Sequence, residues 1–128
     1  MALFYNIVPK SDPLNPQNDV RKYYAVLRSL GMIDEREVAK IVSNETGLSL
    51  SEAETAILSL EKAIVRHLLE GYTVKLGGMG SFSLTINSTG SFEAEEVSPD
   101  NIKKVNLNFR PSATLKQALH KAKFHPVG

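Results

Sequence analysis

The stretch that decides the fold is Gly71-Tyr72-Thr73-Val74-Lys75-Leu76-Gly77-Gly78-Met79-Gly80-Ser81-Phe82. Its first glycine suits the left-handed residue that ends a helix, and the apolar residues beyond it recur at every second position, as in a strand. The pair Gly77-Gly78 predicts a tight hairpin turn between two strands. Three antiparallel strands are expected, with apolar positions Val74 and Leu76, then Phe82, Leu84 and Ile86, then Val105, Leu107 and Phe109.

Two helices are predicted before this stretch, and both begin with the same capping signal. Asp34 is followed three residues later by Glu37, and Ser49 is followed three residues later by Glu52, which is the spacing of a capping box. The first helix should end at Gly47. The apolar positions of the second helix recur at spacings of three and four residues in Ala53, Ala56, Ile57, Leu60, Ile64 and Leu68, with Val65 beside them. This wide stripe fits either a helix buried between subunits or one that covers only its own sheet.

The two ends of the chain carry further elements. Residues 1–32 hold two extended segments, 4–8 and 22–29, separated by a Pro-, Asn- and Asp-rich loop at 11–19. Pro111 is expected to open a last amphipathic helix, whose buried side would consist of Ala113, Leu115, Ala118, Leu119 and Ala122. The predicted organisation is an N-terminal β addition over residues 1–32 and one α+β domain over residues 33–128.

Composition excludes several classes of protein. The 128 residues are 42% hydrophobic and include no cysteine, so a modest core is available but no disulfide and no cysteine-based metal site. No run approaches the roughly 18 apolar residues of a membrane span, and the N-terminus lacks the pattern of a secretory signal. A cytoplasmic protein is expected.

The formal net charge of +1 is unevenly distributed along the chain. Residues 1–73 carry eight Lys and Arg against ten Asp and Glu, whereas residues 74–128 carry seven against four. An anionic partner is therefore expected to favour the C-terminal part.

Three motifs, taken in order, resemble the HU/IHF family of bacterial histone-like DNA-binding proteins. They are Leu48-Ser49-Leu50-Ser51-Glu52-Ala53, the stretch at 71–82, and Phe109-Arg110-Pro111-Ser112-Ala113-Thr114-Leu115-Lys116. The resemblance covers about residues 34–124, and the N-terminal strands with Lys22-Tyr23-Tyr24 look like the divergent branch found in Bacteroides and its relatives.

This resemblance implies a fold and a function. The fold would be an intertwined homodimer with two N-terminal helices, a three-stranded antiparallel sheet with a projecting β-arm, and a C-terminal helix. The function would be nucleoid-associated binding and condensation of double-stranded DNA, largely independent of sequence and without a cofactor.

The resemblance also implies which residues hold DNA phosphates. Gly80 and Ser81 lie in the turn that offers backbone N–H groups to a phosphate, and Arg110 stands where the family has a basic residue before the last helix. Ser112 would present its N–H at the start of that helix, which suits an anion. The lysines that flank this surface are Lys75, Lys103, Lys104 and Lys116. For any single lysine a solvated surface position is the simpler explanation, and the glycines equally permit hairpin geometry.

The predicted arm departs from the family pattern. Residues 83–108 hold two lysines against four acids, namely Glu93, Glu95, Glu96 and Asp100, and carboxylates beside a phosphate groove oppose binding. Pro99 has acidic neighbours and suits a turn better than a wedge between base pairs. Two functions therefore stay open: binding of duplex DNA, and a dimer whose acidic arm and N-terminal strands contact another protein.

Nothing in the sequence indicates catalysis. His67, His120 and His125 show no pairing with acids at metal-ligand spacing. No Ser-His-acid arrangement, phosphate-loop glycine motif or paired-carboxylate pocket is indicated, and Glu95-Glu96 is better explained as charge on a solvated loop. We expect no enzyme, no metal site, no small-molecule substrate and no membrane contact.

Overall fold

The computed structural model describes residues 2–11, 14 and 21–127. Within them the chain is a mixed α+β protein with three helices and two sheets. The elements in chain order are β1 (Leu3–Ser11), β2 (Arg21–Leu27), α1 (Glu35–Thr46), α2 (Leu50–Leu69), β3 (Val74–Leu76), β4 (Gly80–Ser88), β5 (Ile102–Pro111), α3 (Ala113–His120) and β6 (Phe124–Pro126), with two 3₁₀ turns, Ala94–Glu96 and Pro99–Asn101, between β4 and β5. Most of the loop predicted at 11–19 lies outside the described residues.

Backbone contacts divide the chain into two units, one of residues 1–33 with 118–128 and one of residues 34–117. The first unit contains a three-stranded sheet in the order β2-β1-β6. β1 and β2 are antiparallel, with Tyr5 opposite Leu27. β6 runs parallel to β1, with Phe124 opposite Leu3. β6 is not predictable from the sequence, because a strand of three residues is too short to show an alternation of apolar and polar positions.

Both predicted helix starts are confirmed in the second unit. The backbone N–H of Glu37 donates to the carboxylate of Asp34 at 3.0 Å. Ser49 and Glu52 form a reciprocal capping box with donor–acceptor distances of 3.1 Å and 3.2 Å. α1 ends at Gly47 with a φ of +79°, and Gly71 follows α2 with a φ of +97°. Both values lie in the left-handed region that glycine favours.

The second sheet is antiparallel, in the order β3-β4-β5. Its register places Val74 opposite Phe82, and Phe82 opposite Phe109. The rings of the two phenylalanines are 4.9 Å apart between centroids. Because side chains alternate between the two faces of a sheet, one face is apolar throughout and the other is polar. α2 packs against β3 and β4.

The last helix starts later than predicted. Pro111 is still paired with Gly80 at the end of β5. α3 begins at Ala113, and the Oγ atom of Ser112 caps it by accepting the N–H of Leu115 at 3.0 Å. The proline therefore completes a strand rather than opening the helix, because its cross-strand pairing fixes an extended backbone.

The expected buried side of this helix is only partly present. Leu115 is half-buried, but Leu119 is 62% exposed. α3 ends at His120, so Ala122 lies beyond it. The helix ends there because Phe124–Pro126, shortly after it, pair with β1 as strand β6.

A single chain buries little apolar surface. Among the described residues the buried apolar side chains are Ala39, Ala53 and Leu68, and no large side chain is fully buried. Apolar side chains that stay exposed include Leu58, Leu60, Val65 and Leu69 on α2 and Ile86, Val105 and Leu107 on the second sheet. Exposed apolar surface of this extent marks an interaction site.

Candidate nucleic-acid interface

One face of the second sheet is polar along its whole length and carries no acid. It collects alternate residues of β3, β4 and β5, since cross-strand partners point to the same side. We call it the polar face, and it consists of Lys75, Ser81, Ser83, Thr85, Asn87, Lys104, Asn106, Asn108 and Arg110. Three cations without a carboxylate make this face locally positive.

Three of the predicted phosphate ligands lie in one row across the polar face. Lys75 is opposite Ser81, and Ser81 is opposite Arg110. Neighbouring strands are about 4.8 Å apart, so the two cationic residues stand roughly 10 Å apart with a hydroxyl between them. Ser81 is half-buried and the two cations are exposed. Within the described residues neither cation has a hydrogen-bond or ion-pair partner, so both are available to a phosphate.

Hydrogen-bonded amides occupy the middle of the polar face. Asn106 Nδ2 donates to Asn87 Oδ1 at 2.8 Å, and Asn108 Nδ2 donates to Thr85 Oγ1 at 3.0 Å. Both bonds run diagonally between β4 and β5, because the register sets Thr85 opposite Asn106. Amides and hydroxyls make the uncharged contacts that proteins use on phosphates, sugars and base edges. The sequence analysis did not select these residues, although their alternation with apolar positions was visible.

Ser112 joins the turn before β4 to the start of α3. Its N–H donates to the carbonyl oxygen of Met79 at 3.0 Å, and its Oγ donates to the carbonyl oxygen of Gly78 at 2.5 Å. The N–H that was expected to face an anion is therefore already bonded within the protein. Among the described residues, the first-turn N–H groups left without an acceptor are those of Ala113 and Thr114.

Gly80 lies where close packing leaves no room for a side chain. It is buried and has a φ of +149°. A Cβ atom there would overlap the carbonyl oxygen of Arg110 and would lie 3.0 Å from the ring of Phe109. Close approach of β4 and β5 thus requires glycine at this position. The phosphate contact that the resemblance implies for Gly80 stays a prediction.

The remaining predicted lysines are placed differently from one another. Lys104 lies on the polar face opposite Asn87, six residues along β5 from Arg110 and therefore about 20 Å away. Lys103 falls at the irregularity in the register, and its Nζ donates to the carbonyl oxygen of Asp100 at 2.9 Å. Lys116 is exposed on α3. Lys104 thus extends the polar face, whereas Lys103 hydrogen-bonds to the loop between β4 and β5.

The loop between β4 and β5, residues 89–101, forms a hydrogen-bonded acidic tip. Asn101 Nδ2 lies 3.1 to 3.2 Å from the carbonyl and hydroxyl oxygens of Thr89 and from the hydroxyl of Ser91. Asn101 Oδ1 accepts the N–H of Ser98 at 2.9 Å. Pro99 starts a 3₁₀ turn, in agreement with its predicted role. The ring of Phe92 is fully exposed, as are the four carboxylate residues of this acidic tip.

Two further observations apply to the described part of the chain. None of its helices has the length and apolar character that a membrane crossing needs. It also holds no group of three or more His, Asp or Glu side chains arranged to bind a metal ion.

Comparison with protein families assigns this fold to a class. A family model described as an HU domain fused to a wHTH, Ig or glycine-rich motif matches residues 1–126. The fold and this match define an HU-like protein. The chain belongs to that family, HU-HIG, and the match includes the N-terminal strands and β6 as well as the helices and the second sheet.

A solved structure from Bacteroides vulgatus, of a candidate bacterial DNA-binding protein, has a similar fold. The TM-score is 0.70 at 13% sequence identity, and the similarity covers 99% of this chain and 48% of the other. This chain thus spans about half the length of its structural relative. No curated protein matches the sequence.

Proposed function

We propose that this protein binds double-stranded DNA as a homodimer, through phosphate contacts and with little sequence preference. Membership of a family built on the HU domain supports DNA as the partner. The observation that carries the proposal is the row of Lys75, Ser81 and Arg110 on an acid-free sheet face.

The chemistry of this row suits phosphates rather than bases. The guanidinium of Arg110 binds two phosphate oxygens at once, and the ammonium of Lys75 acts as a point charge. Contacts to phosphates fix the position of a protein on the duplex without reading its sequence. With Lys104 the polar face extends over about 20 Å, the length of roughly six base pairs.

A second copy of the chain accounts for the exposed apolar surface. The exposed stripe of α2 and the apolar face of the second sheet leave one chain with almost no buried core. Two-fold dimers are the commonest assemblies, and mutual burial of these surfaces would stabilise both chains. A dimer would also present two polar faces to one duplex.

The test is fluorescence anisotropy with a duplex of about 30 base pairs at roughly 50 and 200 mM salt. The native chain should bind, and its affinity should fall steeply with salt, because binding to phosphates releases counterions. Lys75→Gln/Arg110→Gln should weaken binding and reduce the slope of log K against log salt by about 0.9 for each phosphate that the variant no longer neutralises.

The matched control is Arg36→Gln/Lys40→Gln, which removes the same charge from exposed positions on α1. It should leave the slope close to that of the native chain. Equal slopes for the two double variants would show that the polar face does not hold phosphates. Two duplexes of unrelated sequence should compete equally.

A second function is favoured by the acidic tip. Its carboxylates oppose DNA, and the fully exposed ring of Phe92 suits contact with a basic protein surface. The alternative predicts no duplex binding at about 50 mM salt, together with binding of an oligolysine peptide that Phe92→Ser weakens. A native chain that binds duplex DNA and ignores the peptide would exclude this alternative.

A further inference from the structure

The two units of the structure have net charges of opposite sign, which a count along the sequence does not show. Residues 1–33 and 118–128 carry six Lys and Arg against two acids, a net charge of +4. Residues 34–117 carry nine against twelve, a net charge of −3. The two acids of the first unit, Asp12 and Asp19, lie outside the described residues, so its described part contains basic but no acidic side chains.

A polyanion experiences these local charges rather than the net charge of the chain. At physiological ionic strength the Debye length is about 8 Å, so exposed charges farther away than this are largely screened. The unit of residues 34–117 offers the acid-free polar face to a polyanion against a net negative background. In the first unit six of the eight charged side chains are cationic, so its local potential favours a polyanion.

The two faces of the first sheet differ in chemistry. One face is mainly apolar and exposed, with Arg21 at one end, and its members include Leu3, Ile7, Tyr23, Leu27 and Phe124, each more than 40% exposed. The opposite face, which we call the basic face, carries Lys10, Lys22 and Arg28 with His125 beside them. Of its apolar members, Val8, Tyr24 and Val26 are half-buried and Phe4 is 41% exposed. The charged side chains that the described residues place on the basic face are therefore all cationic.

The cations stand at the two ends of the basic face. At one end Lys10 lies opposite Lys22, and its Nζ is 5.8 Å from the centroid of the Tyr24 ring, which orients its stem along the sheet. At the other end Arg28 donates its backbone N–H to the carbonyl oxygen of Phe4 at 2.8 Å. Six residues of β1 separate the two ends, which is about 20 Å.

A fourth cation lies near the arginine end. Lys123 directly precedes β6, and its carbonyl oxygen accepts the N–H of Leu3 at 2.7 Å. His125 follows on β6 opposite Phe4. Cations at the two ends of a sheet about 20 Å long match phosphates about six base pairs apart on a rigid duplex. A small anion would occupy one end only.

We infer that the basic face of the N-terminal sheet is a second DNA-contacting surface, in which Lys10 and Arg28 hold phosphates of the duplex. This inference rests on the proposed function, since it names a further site for the same partner. The N-terminal strands and β6 thus supply DNA affinity that the acidic tip does not.

The test measures the salt dependence of duplex binding for Lys10→Gln/Arg28→Gln beside Lys75→Gln/Arg110→Gln. The control is Arg36→Gln/Lys40→Gln, because each of the three variants removes two positive charges. Removal of both cations from the basic face should lower the slope of log K against log salt by about 1.8 for each chain of the dimer that contacts the duplex, at about 0.9 for each phosphate. Lys123→Gln should lower it by up to about 0.9.

The outcomes separate the two proposals. If only Lys75→Gln/Arg110→Gln reduces the slope, the inference is overturned and the proposed function stands. If only Lys10→Gln/Arg28→Gln reduces it, the inference stands and the polar face is excluded as the site. A native chain that binds no duplex overturns both.

Folding and assembly are checked on the same samples. Both substituted side chains are exposed, so the thermal midpoint of Lys10→Gln/Arg28→Gln should stay at the native value. Sedimentation equilibrium without DNA should give the native mass. A change in mass would assign the basic face to contacts between copies of the chain, through the acidic tip for example, and would overturn the inference.

Discussion

Gly80 lies where the turn, the second sheet and the row of candidate phosphate ligands meet. Its φ of +149° and the contact that a Cβ would make with the Arg110 carbonyl leave no room for a side chain. Arg110 is both the packing neighbour of Gly80 and the strongest candidate ligand, so the glycine sets how closely β5 carries this arginine to Ser81.

Replacement of Gly80 by alanine should therefore destabilise the chain. Backbone strain and the overlap with β5 together should cost about 1 to 3 kcal/mol of unfolding free energy. Urea unfolding followed by circular dichroism measures this cost. Gly78→Ala in the same turn is the control, because a Cβ there meets nothing within 4 Å and the φ of Gly78 is not positive. Equal urea midpoints for the two variants would contradict the argument.

Among the structural elements, α2 begins with a capping box that makes the free energy of unfolding depend on pH. Hydrogen bonds to the side chain of Ser49, and then to its backbone N–H, lower the pKa of Glu52. Because the pKa is lower in the folded chain, the ionised carboxylate stabilises the fold above the unfolded value of about 4.3. This contribution is lost as the pH falls through the folded pKa.

Glu52→Gln should reduce the loss of stability in acid. Glutamine keeps an acceptor for the Ser49 N–H but does not titrate, so the thermal midpoint should fall less between about pH 7 and pH 3 than it does in the native chain. Glu54→Gln on the same helix is the control and should keep the native pH dependence. If the thermal midpoint of Glu52→Gln fell in acid as far as that of the native chain, the capping box would not contribute to the pH dependence of stability.

The elements differ in how clearly the sequence specifies them. The helix starts at Asp34 and Ser49 and the alternation of the second sheet are local signals, and the structure confirms them. The end of α3 and the strand β6 are not local, because they depend on residues 124–126 finding a partner in β1. Pairing with a strand more than one hundred residues earlier leaves no trace in the nearby sequence.

At the scale of the whole molecule, few apolar side chains of the described residues are buried, and the proposed dimer would make stability depend on association. If the exposed stripe of α2 is covered by a second chain, unfolding should be concentration-dependent, because dilution favours the separated state. Val65→Asp, at a position that is 55% exposed in one chain, should lower the mass seen by sedimentation equilibrium and the thermal midpoint.

The control for association is Met32→Asp, in the first unit. Met32 is 91% exposed, so an added carboxylate there should change neither the mass nor the midpoint. A native chain that sediments as a monomer, with a midpoint independent of concentration, would rule out the homodimer.

The residues of the candidate site could be predicted from the sequence, but their spatial arrangement could not. Lys75, Ser81 and Arg110 were selected through the resemblance, and only the register of β3, β4 and β5 shows that they form one row. The bonded N–H of Ser112 was not foreseeable, because its acceptor, Met79, is more than thirty residues away in sequence. Charge counted along the sequence does not describe the folded units either, because the chain halves do not coincide with those units.

The sequence by itself determined the HU-like class, the helix caps, the hairpin and the alternation of the second sheet, because capping boxes, glycine turns and a period of two act between residues near each other in the chain. Tertiary structure alone decided where α3 ends, which strands the C-terminus joins, and how the cations gather on two sheet faces. Those outcomes depend on strand pairing between distant segments, and pairing is selected by the free energy of the whole fold rather than by any local pattern.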